Sequence, residues 1–280
     1  MSKEQTICWS DSSGEERCAL WRSESGASPP KQVLVADDRM NADTAFRLAC
    51  EGTSLLWHGD FHNARQLLAA MARRTDRKPP KPGASPEQSF HLYRQARSRR
   101  ARILMLLLPV EAGHVIPLRR APDVRLACEQ VYGQCHEPYV VSLRELQGVL
   151  GAGEWRNKRV HMPALGESIT PHYGVFSPVR GEYVDLVSEA PLPSQGTAFD
   201  IGTGTGVLAA VLARRGVRSV VATDLDARAL ACAQENTVAG RLDARPLHPR
   251  AHDHTDPLHS WRKAEVTSLW RLAVSPGAAD

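Results

Sequence analysis

Several familiar signals are missing from this chain. Its six cysteines (Cys8, Cys18, Cys50, Cys128, Cys135 and Cys232) form no C-x-x-C pair, so no common metal-ligand spacing is present and reduced thiols in a cytoplasmic protein are expected. Cys8 and Cys18 have no second cysteine or histidine pair to complete a ligand set. The opening residues, Met-Ser-Lys-Glu-Gln-Thr, contain no apolar core of the kind a secretory leader needs. The longest apolar run, residues 103–108, is far too short to cross a bilayer, so no membrane partner is expected. No DNA-binding motif occurs. The charge excess is small, a net +4, which is compatible with an RNA partner without requiring one.

What remains is an ordinary globular composition. The 280 residues are 42% hydrophobic and 24% charged, enough for two modest domains with their own cores. The informative stretch is residues 197–236. A short apolar run, Ala198-Phe199-Asp200-Ile201, stops at Gly202. Gly202, Gly204 and Gly206 alternate, so the backbone can turn tightly and a ligand can approach it without meeting Cβ atoms. Val207, Leu208, Val211 and Leu212 then form the stripe of a one-sided helix, which Gly216 ends behind Arg214 and Arg215. The β-branched run 219–223 reads as a strand ending on Asp224. Asp226 can cap a following helix whose buried face is Leu230, Ala231 and Ala233. This element order predicts a β-α-β unit, whose ligand site lies at the carboxyl ends of its strands.

The spacing here is D-x-G-x-G-x-G, with Val207 where a dinucleotide fingerprint needs its third glycine. It resembles motif I of the class I S-adenosyl-L-methionine (SAM) methyltransferases. Upstream, Thr170-Pro-His-Tyr-Gly-Val-Phe-Ser-Pro178 and the amphipathic segment 179–190 resemble the element preceding motif I in the small-domain group of that family. That group includes guanine-N2 ribosomal RNA methyltransferases and is related to release-factor glutamine methyltransferases. The resemblance implies SAM as cofactor, with Asp200, Gly202, Thr203, Gly204 and Gly206 shaping the methionine side of the pocket. It also implies that Asp224 accepts the ribose hydroxyls beside Leu225, and that the Phe176 turn closes over the ligand. The methyl acceptor would be an amino or amide nitrogen of RNA or protein.

The resemblance also implies a motif that is lacking. The amino-methylating branches carry Asn-Pro-Pro-Tyr or a variant after the fourth strand, where it orients the target nitrogen. No Asn-Pro dipeptide occurs in this chain, so no catalytic residue is named. His161 and His172 flank the entry to the site as candidate bases, although structural roles fit each better. After Leu242 the sequence lacks alternating strand and helix patterns, and a truncated, out-of-frame tail is expected there. Within it, His252, His254 and His259 could mimic a metal cluster, and 260–273 could form a helix. Two other readings stand beside the methyltransferase: an inactive fragment that binds a partner, and a nicotinamide-dependent oxidoreductase.

The remaining chain reads as a flexible tail over 1–31, a mostly helical domain over 32–151 and a connector over 152–168. A SAM-binding half-domain over 169–242 and the irregular tail 243–280 follow. The expected class is therefore α/β, a mostly helical amino-terminal domain followed by a partial Rossmann-like domain. In the first domain, 33–35 reads as a strand, 41–57 as a helix and 61–74 as a second helix capped by Asp60. His58 and His62 are separated by a Gly59-Asp60 break, which argues against a shared metal. A third helix opens at the Ser85-Pro86-Glu87-Gln88 box and is expected to run to Leu108. Arg94, Arg97, Arg99, Arg100 and Arg102 on it could grip phosphates. A solvated face is the preferred reading, because no aromatic residue interleaves with them. By family resemblance, this domain would select the substrate.

Overall fold

The structure is a computed structural model, describing residues 5–11, 13–77, 82–239 and 250–251. The chain divides into two compact units, Met1–Gly151 and Ala152–Asp280. Both are α/β.

The first unit is built on a six-stranded sheet in the order β1-β2-β6-β5-β4-β3. Its strands are β1 (Gln5–Ser10), β2 (Glu16–Arg22), β3 (Gln32–Ala36), β4 (Thr53–Trp57), β5 (Leu106–Val110) and β6 (Tyr139–Ser142). Its helices are α1 (Ala42–Cys50), α2 (Phe61–Asp76), α3 (Pro86–Ile103), α4 (Arg125–Tyr132) and α5 (Leu143–Lys158), the last running across the unit boundary. β3, β4 and β5 are parallel neighbours, whereas β1–β2 and β5–β6 are antiparallel. Ile7, Trp21, Leu56, Leu107 and Val140 from five strands form one buried cluster.

This corrects the mostly helical expectation. Helices hold more residues than strands, but a sheet is the core they cover. The expected flexible tail contains an antiparallel hairpin, with Cys8 opposite Cys18 and the two bonded to each other, so these cysteines are not the reduced thiols expected. The expected helix 41–57 stops at Cys50. Gly52 turns the chain at φ +97°, and Thr53–Trp57 continues as β4. Likewise α3 ends at Ile103, and the leucine run becomes β5. Short apolar runs of this kind fit a buried strand and a buried helix end equally well by periodicity. The caps are placed as expected. Ser85 accepts from Gln88 N at 3.1 Å, and Asp60 accepts from His62 N at 2.9 Å. His58 lies in the loop before α2, and burial pushes its imidazole pKa down. His62 lies on α2 and contacts Gln66 instead of His58.

The second unit begins with an antiparallel pair, β7 (Val160–Met162) and β8 (Glu167–Ile169), around a single 3₁₀ turn at Pro163–Leu165. Then come α6 (Glu182–Glu189), β9 (Thr197–Ile201), α7 (Val207–Arg214), β10 (Ser219–Asp224), α8 (Ala227–Ala239) and a two-residue strand, β11 (Arg250–Ala251). β10 lies between β9 and β11, parallel to both. The β-α-β-α order over residues 197–236 is the one its sequence predicts. β11 adds a strand inside the stretch expected to be irregular. The histidines 252, 254 and 259 and the helix expected at 260–273 lie outside the described residues.

Packing in this unit fixes the glycine loop from both sides. Val207, Ala210 and Val211 of α7 join Val160, Met162, Leu165, Ile169 and Val184 in one buried cluster. Ala209 packs with Val217, Val220 and Ala222 in another. Arg215, just past α7, donates to the carbonyls of Val187 at 2.7 Å and Ala190 at 2.5 Å, closing the carboxyl end of α6. Arg214 donates to the Leu165 carbonyl.

Candidate functional site

The site is the crevice where β9 and β10 end. Ile201 pairs with Thr223, so Gly202 and Asp224 leave their strands side by side. The loop between β9 and α7 then folds back on β10. Gly202 N and Thr203 N both donate to the Thr223 carbonyl, at 2.8 and 2.9 Å. Gly204 N donates to Asp224 Oδ2 at 3.0 Å, and Gly206 N donates to the Thr203 carbonyl at 2.9 Å. Four loop amides are thus used internally.

The three glycines have different physical reasons. All have positive φ, +78°, +55° and +80°, a region that L side chains rarely adopt. A methyl on Gly202 would meet nothing within 4 Å, so that position opens on free space. A methyl on Gly204 would stand 3.9 Å from the Phe176 carbonyl, so the upstream segment passes directly over the loop. At Gly206 a methyl would fall 2.9 Å from Ala233 Cβ and 3.0 Å from its Cα. The last glycine therefore serves the approach of α8 rather than a ligand.

The two carboxylates divide their work. Asp200 is buried, and its Oδ2 accepts from Thr203 Oγ1 at 2.8 Å and from Ala209 N at 3.1 Å, capping the first turn of α7. Burial raises the pKa of its carboxyl, the bonds from Thr203 and Ala209 lower it part way, and the nearby charge of Asp224 raises it further. Asp200 thus braces the glycine loop from below. Asp224 is half-buried at the strand end. Its Oδ1 accepts from Asp226 N at 3.0 Å and its Oδ2 from Gly204 N, one bond per oxygen. Leu225 and Phe176 are 70% and 72% exposed, large apolar side chains left open at the crevice. Ile201, half-exposed at the end of β9, is a third such side chain, and no local sequence signal singles it out.

A second set of residues carries no local sequence signal. One face of α8 holds the segment upstream of the loop. Asn236 Oδ1 accepts from Thr170 N at 2.7 Å while its Nδ2 donates to the Thr205 carbonyl at 3.0 Å. Glu235 binds His172 Nε2 at 2.7 Å and Arg156 Nη2 at 2.9 Å. Arg228 donates to the Tyr173 carbonyl at 3.3 Å and lies over the Tyr173 ring. His172 is therefore tied to Glu235 by a hydrogen bond, while His161 is exposed on β7. Two buried hydroxyls, Ser177 Oγ and Thr223 Oγ1, have no hydrogen-bond partner among the described residues, and both belong to segments that frame the crevice. The group of possible metal ligands found among the described residues is Cys8, Glu16 and Cys18, whose two sulfurs are already joined to each other.

Comparison with known proteins agrees with this geometry. Residues 168–260 match the family model described as Methyltransferase small domain, so the match continues beyond Leu242. The chain is also similar to a protein named Ribosomal protein L11 methyltransferase from Pelotomaculum thermopropionicum. The two are 49% identical over 151 residues, which cover 51% of this chain and 46% of that protein. The chain thus spans about half the length of the curated relative it matches. The strand order and the glycine loop of the second unit are in keeping with this similarity to the methyltransferase small domain.

Proposed function

We propose that the crevice at the ends of β9 and β10 binds S-adenosyl-L-methionine, and that the chain serves methyl transfer to a nitrogen of RNA or protein. The observation that carries this is the Asp224 carboxylate. A carboxylate offers about four lone-pair positions, and here each oxygen accepts one backbone N–H. One acceptor position per oxygen remains, which suits a vicinal pair of ribose hydroxyls. Gly202 opens on free space beside it, and Leu225, Ile201 and Phe176 supply apolar surface for a purine.

The same loop disfavours a nicotinamide dinucleotide. Pyrophosphate sites use free loop amides and an open helix amino terminus. Here four loop amides bond internally, and Asp200 already places a carboxylate under the first turn of α7. SAM carries no phosphate. When bound, its sulfonium supplies both the methyl group and the leaving group, so the protein's work is to hold and orient. Asp224, the glycine loop and the 170–177 segment do the holding. The name of the relative makes a ribosomal protein one acceptor class, with RNA the other. No helix among the described residues is long and apolar enough to cross a membrane.

Calorimetric titration with S-adenosylhomocysteine tests the reading, with Asp224→Asn as the partner variant. Asparagine keeps one acceptor oxygen for the loop but lacks the charge and the full acceptor set. Micromolar binding by the parent, weakened at least about tenfold in the variant, is expected for the loss of a charged hydrogen-bonding partner. A folded parent that does not bind, or a variant that binds equally well, would overturn it.

A further inference from the structure

Helix α3 of the first unit is out of keeping with the rest of the protein. It runs for 18 residues, yet Ile103 at its carboxyl end is its one fully buried side chain. It carries five arginines against one glutamate, an excess of four cations, which equals the net charge of the whole chain. Everything outside this helix is therefore neutral in sum. A helix of this kind lacks the apolar stripe by which a surface helix ordinarily docks on its core.

No aromatic residue lies between Arg94 and Arg102 along the sequence. The structure places two on the same face. Phe90, Tyr93, Arg94 and Arg97 follow i, i+3, i+4, i+7 spacing and form one stripe. Both rings are more than half exposed, at 55% and 54%. The Arg94 guanidinium lies 5.8 Å from the Phe90 ring centre, and that of Arg97 lies 5.9 Å from the Tyr93 ring centre. Two ring–guanidinium pairs thus lie side by side along about 10 Å of helix axis, the rise of roughly three stacked bases.

The charge on this face is uncompensated. Arg100 forms a two-pronged pair with Asp76 at 2.8 and 2.9 Å, but Arg94, Arg97, Arg99 and Arg102 have no ion pair among the described residues. Arg144 on α5 adds a further cation. Burial, and then the like charges of Arg100 and Arg97, hold its guanidinium below its ordinary pKa. Internal cation–π pairs would support the helix, but they do not explain why the chain's entire charge excess gathers here.

We infer that the Phe90–Tyr93–Arg94–Arg97 face of α3 is a docking surface for single-stranded RNA, the rings stacking bases while the arginines hold phosphates. An acidic peptide would match the arginines but leaves the exposed rings without a purpose, whereas base stacking uses both. The choice of RNA rests on the proposed RNA-or-protein acceptor, from which it selects one class.

The test is fluorescence anisotropy of a labelled 12-nucleotide RNA with the full chain, over a salt series and without SAM. Cofactor binding and RNA binding are thereby read separately, and either can fail while the other stands. Two double variants separate the contributions. Arg94→Gln with Arg97→Gln should lower the slope of log affinity against log salt by about 1.4, the value for two lost phosphate contacts to a single strand. Phe90→Ala with Tyr93→Ala should weaken binding at least about tenfold while leaving that slope unchanged. Arg39→Gln, a fully solvated cation elsewhere, should change neither. Unaltered circular dichroism melts in each variant would show that the helix is intact. Binding that ignores both double variants, tighter binding to the DNA strand of equal sequence, or a preference for polyglutamate would overturn the assignment.

Discussion

Gly202 and Gly206 share a backbone conformation but not an environment, so the same substitution at each isolates one physical effect. Both have φ near +80°. An alanine there costs about 1–2 kcal/mol in the left-handed region, and the reduced freedom of the unfolded chain returns about 0.4–1 kcal/mol. Gly202→Ala adds nothing else, since its methyl meets no atom within 4 Å. Gly206→Ala also drives a methyl to 2.9 Å from Ala233 Cβ and 3.0 Å from its Cα, and the latter belongs to the backbone of α8. Overpacking of this kind costs about 1–3 kcal/mol. Gly206→Ala should therefore be the less stable of the two by about 1–3 kcal/mol. Pulse proteolysis of the full chain across a urea series, reading fragments of the second unit, measures the difference. Gly202→Ala, in turn, should lose more affinity for S-adenosylhomocysteine than its stability loss explains. Equal stability in the two variants, or a greater loss at Gly202, would refute the argument that the last glycine serves helix packing.

Asn236→Ala should destabilise the second unit by about 1–3 kcal/mol, because it orphans Thr170 N and the Thr205 carbonyl together; the same proteolysis assay reads it, and cofactor affinity should fall with it. Asp200 predicts a pH dependence. Its folded-state pKa is raised above the unfolded value, so the stability linked to its proton is fully present below about pH 3.9 and is lost as pH rises through the folded value. Asp200→Asn cannot ionise, and its stability relative to the parent should improve as pH rises above about 4. A difference that stays constant across a urea series at several pH values would contradict this. Thiol titration of the denatured, unreduced chain should find four reactive cysteines of the six, Cys50, Cys128, Cys135 and Cys232; six would show that the hairpin bond is not formed.

The second unit was legible because its signals are local. Glycines with positive φ, a one-sided helix and a β-branched run ending on an acid each state their conformation within a few residues. The first unit was less so. Leu55-Leu56-Trp57 and the leucines near 106 are buried on all sides in a sheet, and such a run has no period to distinguish it from the inner end of a helix. The β1–β2 hairpin has a Ser- and Glu-rich sequence because much of it faces solvent, so composition disguised it as a tail. Within the site, Asp224 could be placed by its position after a strand. Asn236, Glu235 and Arg228 could not, since each acts on backbone or side chains far away in sequence. The aromatic face of α3 is not visible as an interleaved pattern in the sequence, because Phe90 and Tyr93 precede the arginines along the chain and join them only on the helix surface.

The ties between α8 and the segment before the glycine loop bear on the order in which the site can be assembled. Thr170, His172 and Tyr173 are held by partners 66, 63 and 55 residues downstream. As the chain leaves the ribosome, this segment emerges well before any of those partners. It can take its place over Gly204 only after residues up to Asn236 have been synthesised and α8 has docked against Gly206. The crevice is thus completed from its carboxyl-terminal side backwards, and a nascent chain stalled before α8 would carry the glycine loop without its cover.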